Sequence, residues 1–105
     1  MMKIEINNNN GSLAVSLDGR LDTTTAPELE SALADKLSGA SELVFDCEKL
    51  VYISSAGLRV LLSTHKKMKG AMKLVNVGEL VMEVFEMTGF VDILEIESWN
   101  LSVKQ

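Results

Sequence analysis

Apolar and polar residues alternate along the first part of the chain. The alternation covers residues 3–6 and again residues 12–17, and it is typical of strands that are buried on one side. Asn10-Gly11 lies between these segments and favours the positive φ angles of a tight hairpin turn. We therefore predict that the first two strands form an antiparallel pair.

Further along, the apolar residues recur every three or four positions, which predicts helices. A first helix opens in the segment 23–28, where a threonine can cap it and Pro27 suits its first turn, and Gly39 ends it. A second helix follows Ser54-Ser55, and a third covers residues 79–87. The predicted apolar faces are Ala26, Leu29, Leu33 and Leu37 in the first helix, Leu58, Leu61, Leu62, His65 and Met68 in the second, and Leu80, Val84 and Met87 beside Val81 and Phe85 in the third.

Short apolar runs between the helices predict buried strands at residues 42–46 and 73–77, with a last apolar segment at 91–96. The element order is then β-β-α-β-α-β-α-β. Such alternation gives a parallel sheet with right-handed crossovers, and the opening hairpin makes the sheet mixed. We expect an α/β fold in which residues 1–105 form a single domain with helices packed on the sheet. Trp99, Leu101 and Val103 alternate within residues 97–105, and we expect this segment to form either a loosely attached tail or an edge strand.

Two acidic residues are candidates for a site at one end of this sheet. Asp46 is predicted to end the strand at residues 42–46, and Asp22 follows the second strand. Ligand and partner sites gather at the carboxyl ends of strands in open α/β sheets. We therefore expect both carboxylates near the same end of the sheet, although two acids without a pocket signal are weak support for an enzyme.

The serine pair Ser54-Ser55 marks the change from strand to helix. A serine at a helix start usually accepts a hydrogen bond from a free backbone N–H of the first turn. The alternative is a site of modification, because Ala56 and Gly57 are too small to shield the hydroxyls. The partial positive charge of a helix N-terminus would also tolerate a phosphate there.

Composition narrows the classes of partner. Ten basic and fifteen acidic residues among 105 give a net charge of −5, so no general attraction to nucleic acid or to an anionic membrane is expected. There is no signal peptide or membrane-spanning run, which predicts a cytoplasmic protein. The single cysteine, Cys47, excludes an internal disulfide, and we interpret it as a small buried hydrophobe rather than a reactive thiol.

The chain lacks the residues that several kinds of catalytic site require. His65 is the only histidine and follows Ser55 by ten residues on one predicted helix, which separates them by roughly 15 Å and prevents a serine–histidine pair. We expect His65 at the edge of the core. Metal-ligand spacings, a phosphate-binding P-loop and a dinucleotide fingerprint are absent from the sequence. We therefore expect no cofactor and no enzymatic activity, and a nucleotide-binding or hydrolytic domain is a disfavoured alternative.

Three segments resemble those of a known family. They are Gly19-Arg20-Leu21-Asp22, Leu43-Val44-Phe45-Asp46 and Tyr52-Ile53-Ser54-Ser55-Ala56-Gly57-Leu58-Arg59, and they look like the STAS domain of bacterial anti-sigma factor antagonists. The resemblance covers about nine tenths of the chain with the same order of elements. The last segment is the most specific of the three in that context.

The resemblance implies a switch in transcription regulation. A protein of this family binds an anti-sigma factor, typically a serine kinase of the GHKL type, and so frees the sigma factor. The kinase phosphorylates a hydroxyl at the start of the second helix, and a PP2C-type phosphatase reverses the reaction. Aligning Gly57-Leu58 with the Gly-Leu of the family places the phosphoacceptor at Ser55. Ser54, which stands where the family often has Asp, is the second choice.

The resemblance also implies a partner-binding surface next to the phosphoacceptor. An unmodified surface of small uncharged residues can pack against a partner, whereas a phosphate there would have to be desolvated. A competing function is that of an adaptor without phosphorylation, in a lipid-transport or stressosome-type complex. The residues implied for the surface are Asp22, Thr23, Ser54, Ser55, Ala56, Gly57 and Arg59.

Overall fold

The computed structural model describes residues 2–98 of the chain. These residues form one five-stranded sheet, three α-helices and a short 3₁₀ helix, Phe90–Asp92. The strands are β1 (Met2–Asn9), β2 (Ser12–Leu21), β3 (Glu42–Ile53), β4 (Met72–Val77) and β5 (Glu95–Ser98), and the helices are α1 (Ala26–Leu33), α2 (Ser55–Lys67) and α3 (Glu79–Thr88).

The strands lie in the sheet in the order in which they occur in the chain. β1 and β2 are antiparallel, and every later neighbour in the sheet is parallel. Each helix connects a strand to its next parallel neighbour in the same direction, and such crossovers are right-handed as a rule. All three helices therefore lie on one face of the sheet. The predicted mixed α/β fold is confirmed.

The core lies between this face and the helices. Alternate strand residues are buried there, and the opposite face of the sheet carries more exposed and polar residues. The largest fully buried side chains are Phe45, Phe85, Leu13, Leu17, Leu21, Leu29, Leu33, Leu43, Leu61 and Leu74. A core built mainly of aliphatic side chains agrees with the few aromatic residues in the sequence.

The predicted hairpin is confirmed at Asn10-Gly11. Both residues have positive φ angles, 54° and 94°, as the favoured two-residue hairpin turns require. The side chain of Asn8 adds to the turn, because its Oδ1 accepts a hydrogen bond from the Gly11 N–H at 2.9 Å. The turn sets a continuous antiparallel register from Met2 opposite Gly19 to Asn9 opposite Ser12.

Strand β3 is more than twice as long as predicted, because it continues past Asp46 to Ile53. Its register against β2 shifts twice beyond Asp46, and each such irregularity interrupts the two-residue alternation of a strand. The buried residues accordingly change from alternate positions up to Cys47 to every third position at Leu50 and Ile53. The alternation is lost where the predicted strand stopped.

Helix α1 ends at Leu33. The sequence pattern predicted its end at Gly39, six residues later. The Lys36 N–H donates to the Leu33 carbonyl at 3.0 Å in a turn that follows the helix. Leu37 still packs against the core, although it lies in this connection and not on the helix. The helical spacing of Leu37 therefore predicted its burial correctly, but it did not predict where the helix ends.

The buried face of α2 differs from the predicted stripe. Leu58 and Leu61 are buried as expected, but Val60 and Thr64 replace Leu62 and His65, which are partly exposed. Thr64 is accommodated because its hydroxyl donates to the Val60 carbonyl at 2.7 Å. His65 lies at the edge of the core, as predicted.

Helix α3 buries only part of its apolar surface. Val81 and Phe85 face the core, whereas Leu80 and Met87 on the side predicted as apolar are exposed. The last predicted segment is also shifted, since the 3₁₀ helix precedes β5 and β5 extends to Ser98. Trp99, Leu101 and Val103 lie outside the described residues.

Cys47 lies in the middle of β3 and is fully buried. Burial raises the pKa of its thiol to about 12, and the nearby Asp46 carboxylate adds to the shift. The interpretation of Cys47 as a buried hydrophobe is confirmed. Within residues 2–98, no helix is both long and apolar enough to cross a membrane.

Candidate functional site

The carboxyl ends of β2 and β3 meet at the start of α2. The Ser54 N–H donates to the Leu21 carbonyl at 2.9 Å, which ties the residue after β3 to the last residue of β2. Ser54 has extended backbone angles and its carbonyl accepts from the Leu58 N–H at 2.9 Å, so α2 begins immediately afterwards. This junction holds the serine pair at one end of the sheet.

The two serines have different environments. Ser54 occupies the N-cap position of α2, but its hydroxyl makes no capping hydrogen bond, and Oγ is buried without a hydrogen-bond partner among residues 2–98. Ser54 is thus the N-cap residue by position, but its side chain does not accept the hydrogen bond that a serine at a helix start usually accepts. Ser55 is the first residue of α2 and is exposed. Of the two, Ser55 presents its side chain to solvent.

Packing against the sheet, and not access to the serines, requires a glycine at position 57. It is buried, and a Cβ atom built on it would lie 2.8 Å from Leu21 Cγ and 2.9 Å from both Ile53 Cγ1 and the Leu21 carbonyl oxygen. The start of α2 can therefore approach the ends of β2 and β3 only with glycine here. Gly57 lies below the surface, and its close packing determines where Ser55 lies at the start of the helix. Ala56 is partly exposed.

Asp22 organises the connection between β2 and α1. Its Oδ1 accepts hydrogen bonds from the backbone N–H groups of Thr24 and Thr25, both at 3.1 Å. Its backbone N–H donates to Thr25 Oγ1 at 2.8 Å, and that hydroxyl donates to the Arg20 carbonyl at 2.7 Å. Thr25 is the N-cap residue of α1, as the sequence pattern allowed, but it makes no side-chain capping hydrogen bond, and Asp22 holds the loop that precedes the helix.

These bonds favour the ionised form of Asp22. The Thr25 backbone N–H contributes most to holding the pKa of Asp22 below its ordinary value, against a partial desolvation that raises it, and Thr25 Oγ1, the Thr24 N–H and the Arg20 charge also lower it. Arg20 Nε lies 3.7 Å from Asp22 Oδ2. The Arg20 guanidinium also lies over the Tyr52 ring, 4.1 Å from its centroid, which links the exposed ends of β2 and β3.

A shallow cleft of about 460 Å³ runs between α1 and α2 beside this junction. Thr23, Ala56 and Arg59 from the predicted surface line it. We call it the α1–α2 cleft. Its remaining lining residues, which the sequence reasoning did not select, are Ala26, Pro27, Glu30, Val60 and Ser63.

Asp46 does not belong to this site, which corrects the expectation that it ends a strand beside Asp22. It pairs with Ser16 in the middle of the sheet, and Asp22 lies six positions after Ser16, roughly 20 Å along the strand direction. Its Oδ1 accepts hydrogen bonds from Asn76 Nδ2 and from the Glu48 N–H, both at 3.1 Å. The side chain stabilises neighbouring strands.

The junction shows little that could hold a metal ion. Within residues 2–98, no group of three or more His, Cys, Asp or Glu side chains has the geometry to bind one. Arg20, Thr25 and Tyr52 contribute to the site but were not selected from the sequence. All three lie within segments that the sequence pattern or the resemblance singled out, but those segments do not indicate which side chains meet.

Two known proteins have sequences that are similar to this chain. The provisionally named anti-sigma factor antagonist BtrV of Bordetella bronchiseptica is 36% identical over 90% of this chain and 85% of its own length. The anti-sigma-B factor antagonist of Bacillus subtilis is 28% identical over 92% of each chain. Both relatives are matched over most of their length.

Solved structures share the fold at lower identity. An anti-sigma factor antagonist from Mycobacterium paratuberculosis superposes with a TM-score of 0.83 at 21% identity and covers 99% of this chain and 92% of its own. The Bacillus cell fate determinant SpoIIAA in its phosphorylated form gives 0.68 at 14% identity and covers 99% and 97%. The model of the STAS domain matches residues 3–101. With the fold, the junction and a relative 36% identical in agreement, the chain belongs to the STAS domain family.

Proposed function

We propose that this protein is an anti-sigma factor antagonist that acts by binding and is switched off by phosphorylation at Ser55. The observation that carries the proposal is the exposed Ser55 hydroxyl at the start of α2, beside the α1–α2 cleft. The names of the relatives support the antagonist function. The phosphorylated form of SpoIIAA, a protein of the same fold, supports the switch.

The choice between the serines follows from access. A kinase must bring its nucleotide phosphate in line with the acceptor oxygen, which requires a hydroxyl that the enzyme can reach. Ser55 is exposed, whereas Ser54 Oγ is buried. Modification of Ser54 would first require the start of α2 to open, so Ser55 is the acceptor that we propose.

The start of α2 can carry a phosphate without unfolding. Its first backbone N–H groups have no partners within the helix and bear a partial positive charge, both of which favour an anion. Arg59 follows Ser55 by four residues, a spacing at which side chains are neighbours on a helix surface. A phosphate on Ser55 would therefore add charge to the surface while the fold is kept.

The same phosphate would oppose binding. The α1–α2 cleft next to Ser55 is lined in part by Thr23, Ala56 and Arg59. Together with Ser55, these residues form the proposed contact surface. A phosphate carries nearly two negative charges at neutral pH, and these would have to be desolvated in the complex. Asp22 shapes the loop that presents Thr23.

The proposed partners are an anti-sigma factor with a GHKL-type serine kinase domain and a PP2C-type phosphatase. The kinase would bind the unmodified surface and release it once Ser55 is phosphorylated. The phosphatase would restore the binding form. The chain itself would contribute no catalytic group to either reaction.

The test uses the purified protein, ATP and a GHKL-type anti-sigma kinase from the organism that encodes this protein. We expect one phosphate on the wild type, none on Ser55→Ala and one on the matched control Ser54→Ala, read by mass spectrometry of the intact protein and its peptides. Ser55→Asp should bind the kinase more weakly than Ser55→Ala in calorimetry, because its charge mimics part of the phosphate. Circular dichroism should show the wild-type fold for all three variants.

Unchanged phosphorylation of Ser55→Ala would refute the assignment of the acceptor. If neither the wild type nor Ser54→Ala is phosphorylated and Ser55→Asp keeps full affinity for its partner, the surface acts as a permanent interface, as in the adaptor function. Loss of binding only in Ser55→Asp supports the switch.

A further inference from the structure

Strand β1 forms one outer edge of the sheet. Among residues 2–98 it pairs with β2 on one side, and no strand pairs with its other side. The backbone N–H and C=O groups along such an edge can pair with a further strand. The residues proposed to contact the anti-sigma factor lie on other elements, so a use of this edge is independent of the proposed function.

The two faces of β1 carry different side chains. Side chains alternate between the faces of a strand, and Met2, Ile4 and Ile6 lie on the side of the core. Met2 is buried, but the two isoleucines pack against the core and are only partly buried. On the opposite face Lys3 and Glu5 are exposed, with Lys3 Nζ 3.6 Å from Glu5 Oε2. Apolar surface is therefore incompletely covered at this edge.

A second copy of the chain can pair with β1 in only a few registers. Two identical antiparallel strands in one continuous sheet are related by a two-fold axis. Residues that lie opposite one another point to the same face, and side chains change face at every position. The axis therefore passes at the level of a residue, which then lies opposite its own copy.

One of these registers matches charge and polarity over residues 2–6. With the axis at Ile4, Lys3 lies opposite Glu5 of the partner subunit. On the other face, Met2 lies opposite Ile6 of the partner subunit. With the axis at Lys3 or at Glu5, two like charges would meet, which is destabilising. With the axis at Ile6, apolar residues would lie opposite asparagines.

We propose that two copies of this chain associate through β1 with Ile4 at the two-fold axis, so that their five-stranded sheets join into one. Residues 2–6 of each copy supply the backbone hydrogen bonds. The second strand covers the exposed parts of the isoleucines, which favours association. The pairs between Lys3 and Glu5 determine the register more than the affinity, because an exposed ion pair contributes little free energy.

The dimer is weak because its interface is small. Only five residues of each copy pair, and interfaces that bury less than about 1,200 Å² are typical of transient complexes. Residues 7–9 of β1 extend beyond the paired segment and are all asparagine, so they add no apolar contact. We therefore expect association at high protein concentration.

The dimer leaves both serine junctions accessible. Ile4 lies opposite Leu17 of β2, and Leu21 at the junction is four positions further, roughly 13 Å along the strand. Because the two copies run in opposite directions, their junctions lie on opposite sides of the axis. Ser55 begins α2 after β3 and lies away from the edge strand. One dimer thus presents two Ser55 surfaces.

Sedimentation equilibrium of the full-length protein tests the association. Between about 10 μM and 1 mM, the average mass of the wild type should rise toward that of two chains. Lys3→Glu and Glu5→Lys each place like charges opposite one another and should associate at least about tenfold more weakly. Their equimolar mixture has opposite charges in both pairs and should regain the wild-type affinity. The matched control is Lys73→Glu on β4, away from this edge, which should associate like the wild type.

Cysteine cross-linking tests the register. Mixing Lys3→Cys with Glu5→Cys brings two thiols opposite each other, with Cα atoms about 4.5–5.5 Å apart, a separation that a disulfide spans. Under air oxidation the mixture should form the mixed disulfide several times faster than either variant cross-links alone. A mixture of Lys73→Cys with Glu5→Cys should stay slow. Cys47 does not compete, because it is fully buried and burial raises the pKa of its thiol to about 12.

Circular dichroism on each variant verifies the fold. Concentration-dependent association of the wild type that is weakened in both charge variants and regained in their mixture supports the proposal. A wild type that stays monomeric at every concentration overturns it and leaves the edge to an extended segment of another protein. Association that neither charge variant weakens also overturns it, because another surface is then the interface. Cross-linking of Lys3→Cys alone as fast as the mixture would place Lys3 opposite its own copy and overturn the register.

Discussion

Gly57 has no room for a side chain, and this residue-scale constraint determines how α2 meets the sheet. The neighbouring atoms belong to Leu21 and Ile53 at the ends of β2 and β3. One of them is a backbone carbonyl oxygen, which cannot move aside as a flexible side chain can. The position of Ser55 on the surface therefore depends on Gly57, two residues later, because only a hydrogen atom fits in place of its side chain.

We predict that Gly57→Ala destabilises the protein by about 1–2 kcal/mol, because overpacking costs more than the gain in helix propensity returns. Urea unfolding followed by circular dichroism measures the change. Gly78→Ala is the matched control, since an added Cβ has open space there, and its stability should change by less than about 0.5 kcal/mol because loss of the glycine cap and reduced chain entropy oppose each other. Equal effects in the two variants would contradict the steric explanation.

At the scale of elements, the β2–α1 connection is held by Asp22 and Thr25. The carboxylate accepts two backbone N–H groups, and the hydroxyl bridges the connection to the Arg20 carbonyl. The connection determines where Thr23 lies on the α1–α2 cleft. Its geometry depends on the ionised form of Asp22, which gives it a dependence on pH.

Because the pKa of Asp22 is lower in the folded protein than its ordinary value, the ionised form stabilises the fold. This contribution is fully present above the pKa of the unfolded chain, about 3.9. It is lost as the pH falls below that value and through the lower folded pKa. We therefore predict that the free energy of unfolding declines less steeply below about pH 4 in Asp22→Asn than in the wild type.

Urea titrations at several acidic pH values measure these slopes. Asp35→Asn is the control, since Asp35 is exposed in the turn after α1, and it should keep the wild-type slope. Parallel curves for Asp22→Asn and the wild type would show that the connection does not depend on the charge of Asp22.

At the scale of the whole molecule, the helices cover one face of the sheet and enclose Cys47 on its central strand. The thiol is fully buried and its pKa is raised to about 12 by burial. A reagent that needs the thiolate can reach this position only when helices and sheet separate. The cysteine therefore reports on opening of the core.

We predict that alkylation of Cys47 in the native protein at neutral pH is slower than in the unfolded chain by at least about 10³-fold, the lower end of folding equilibrium constants. Mass spectrometry after timed exposure to iodoacetamide, with and without urea, measures both rates. The rate should rise with urea in parallel with global unfolding. Rapid alkylation without urea would mean that the region around β3 opens locally.

The order of elements and the hairpin could be predicted from the sequence because they depend on neighbouring residues. Asn10-Gly11 adopts positive φ angles at little steric cost, and the spacing of apolar residues follows the geometry of strand or helix. The position of the serine pair between β3 and α2 was determined in the same local way. The family resemblance rested on these segments and was confirmed.

Only the tertiary structure decided which side chains meet. The register shifts that extend β3 past Asp46 arise from its pairing with β2, a segment some thirty residues earlier, so alternation within β3 alone did not reveal them. The burial of Ser54 Oγ and the exposure of Ser55 depend on how closely α2 packs against Leu21. Local periodicity is set by short-range sterics, whereas burial and hydrogen-bond partners are set by packing between segments that are distant in the chain.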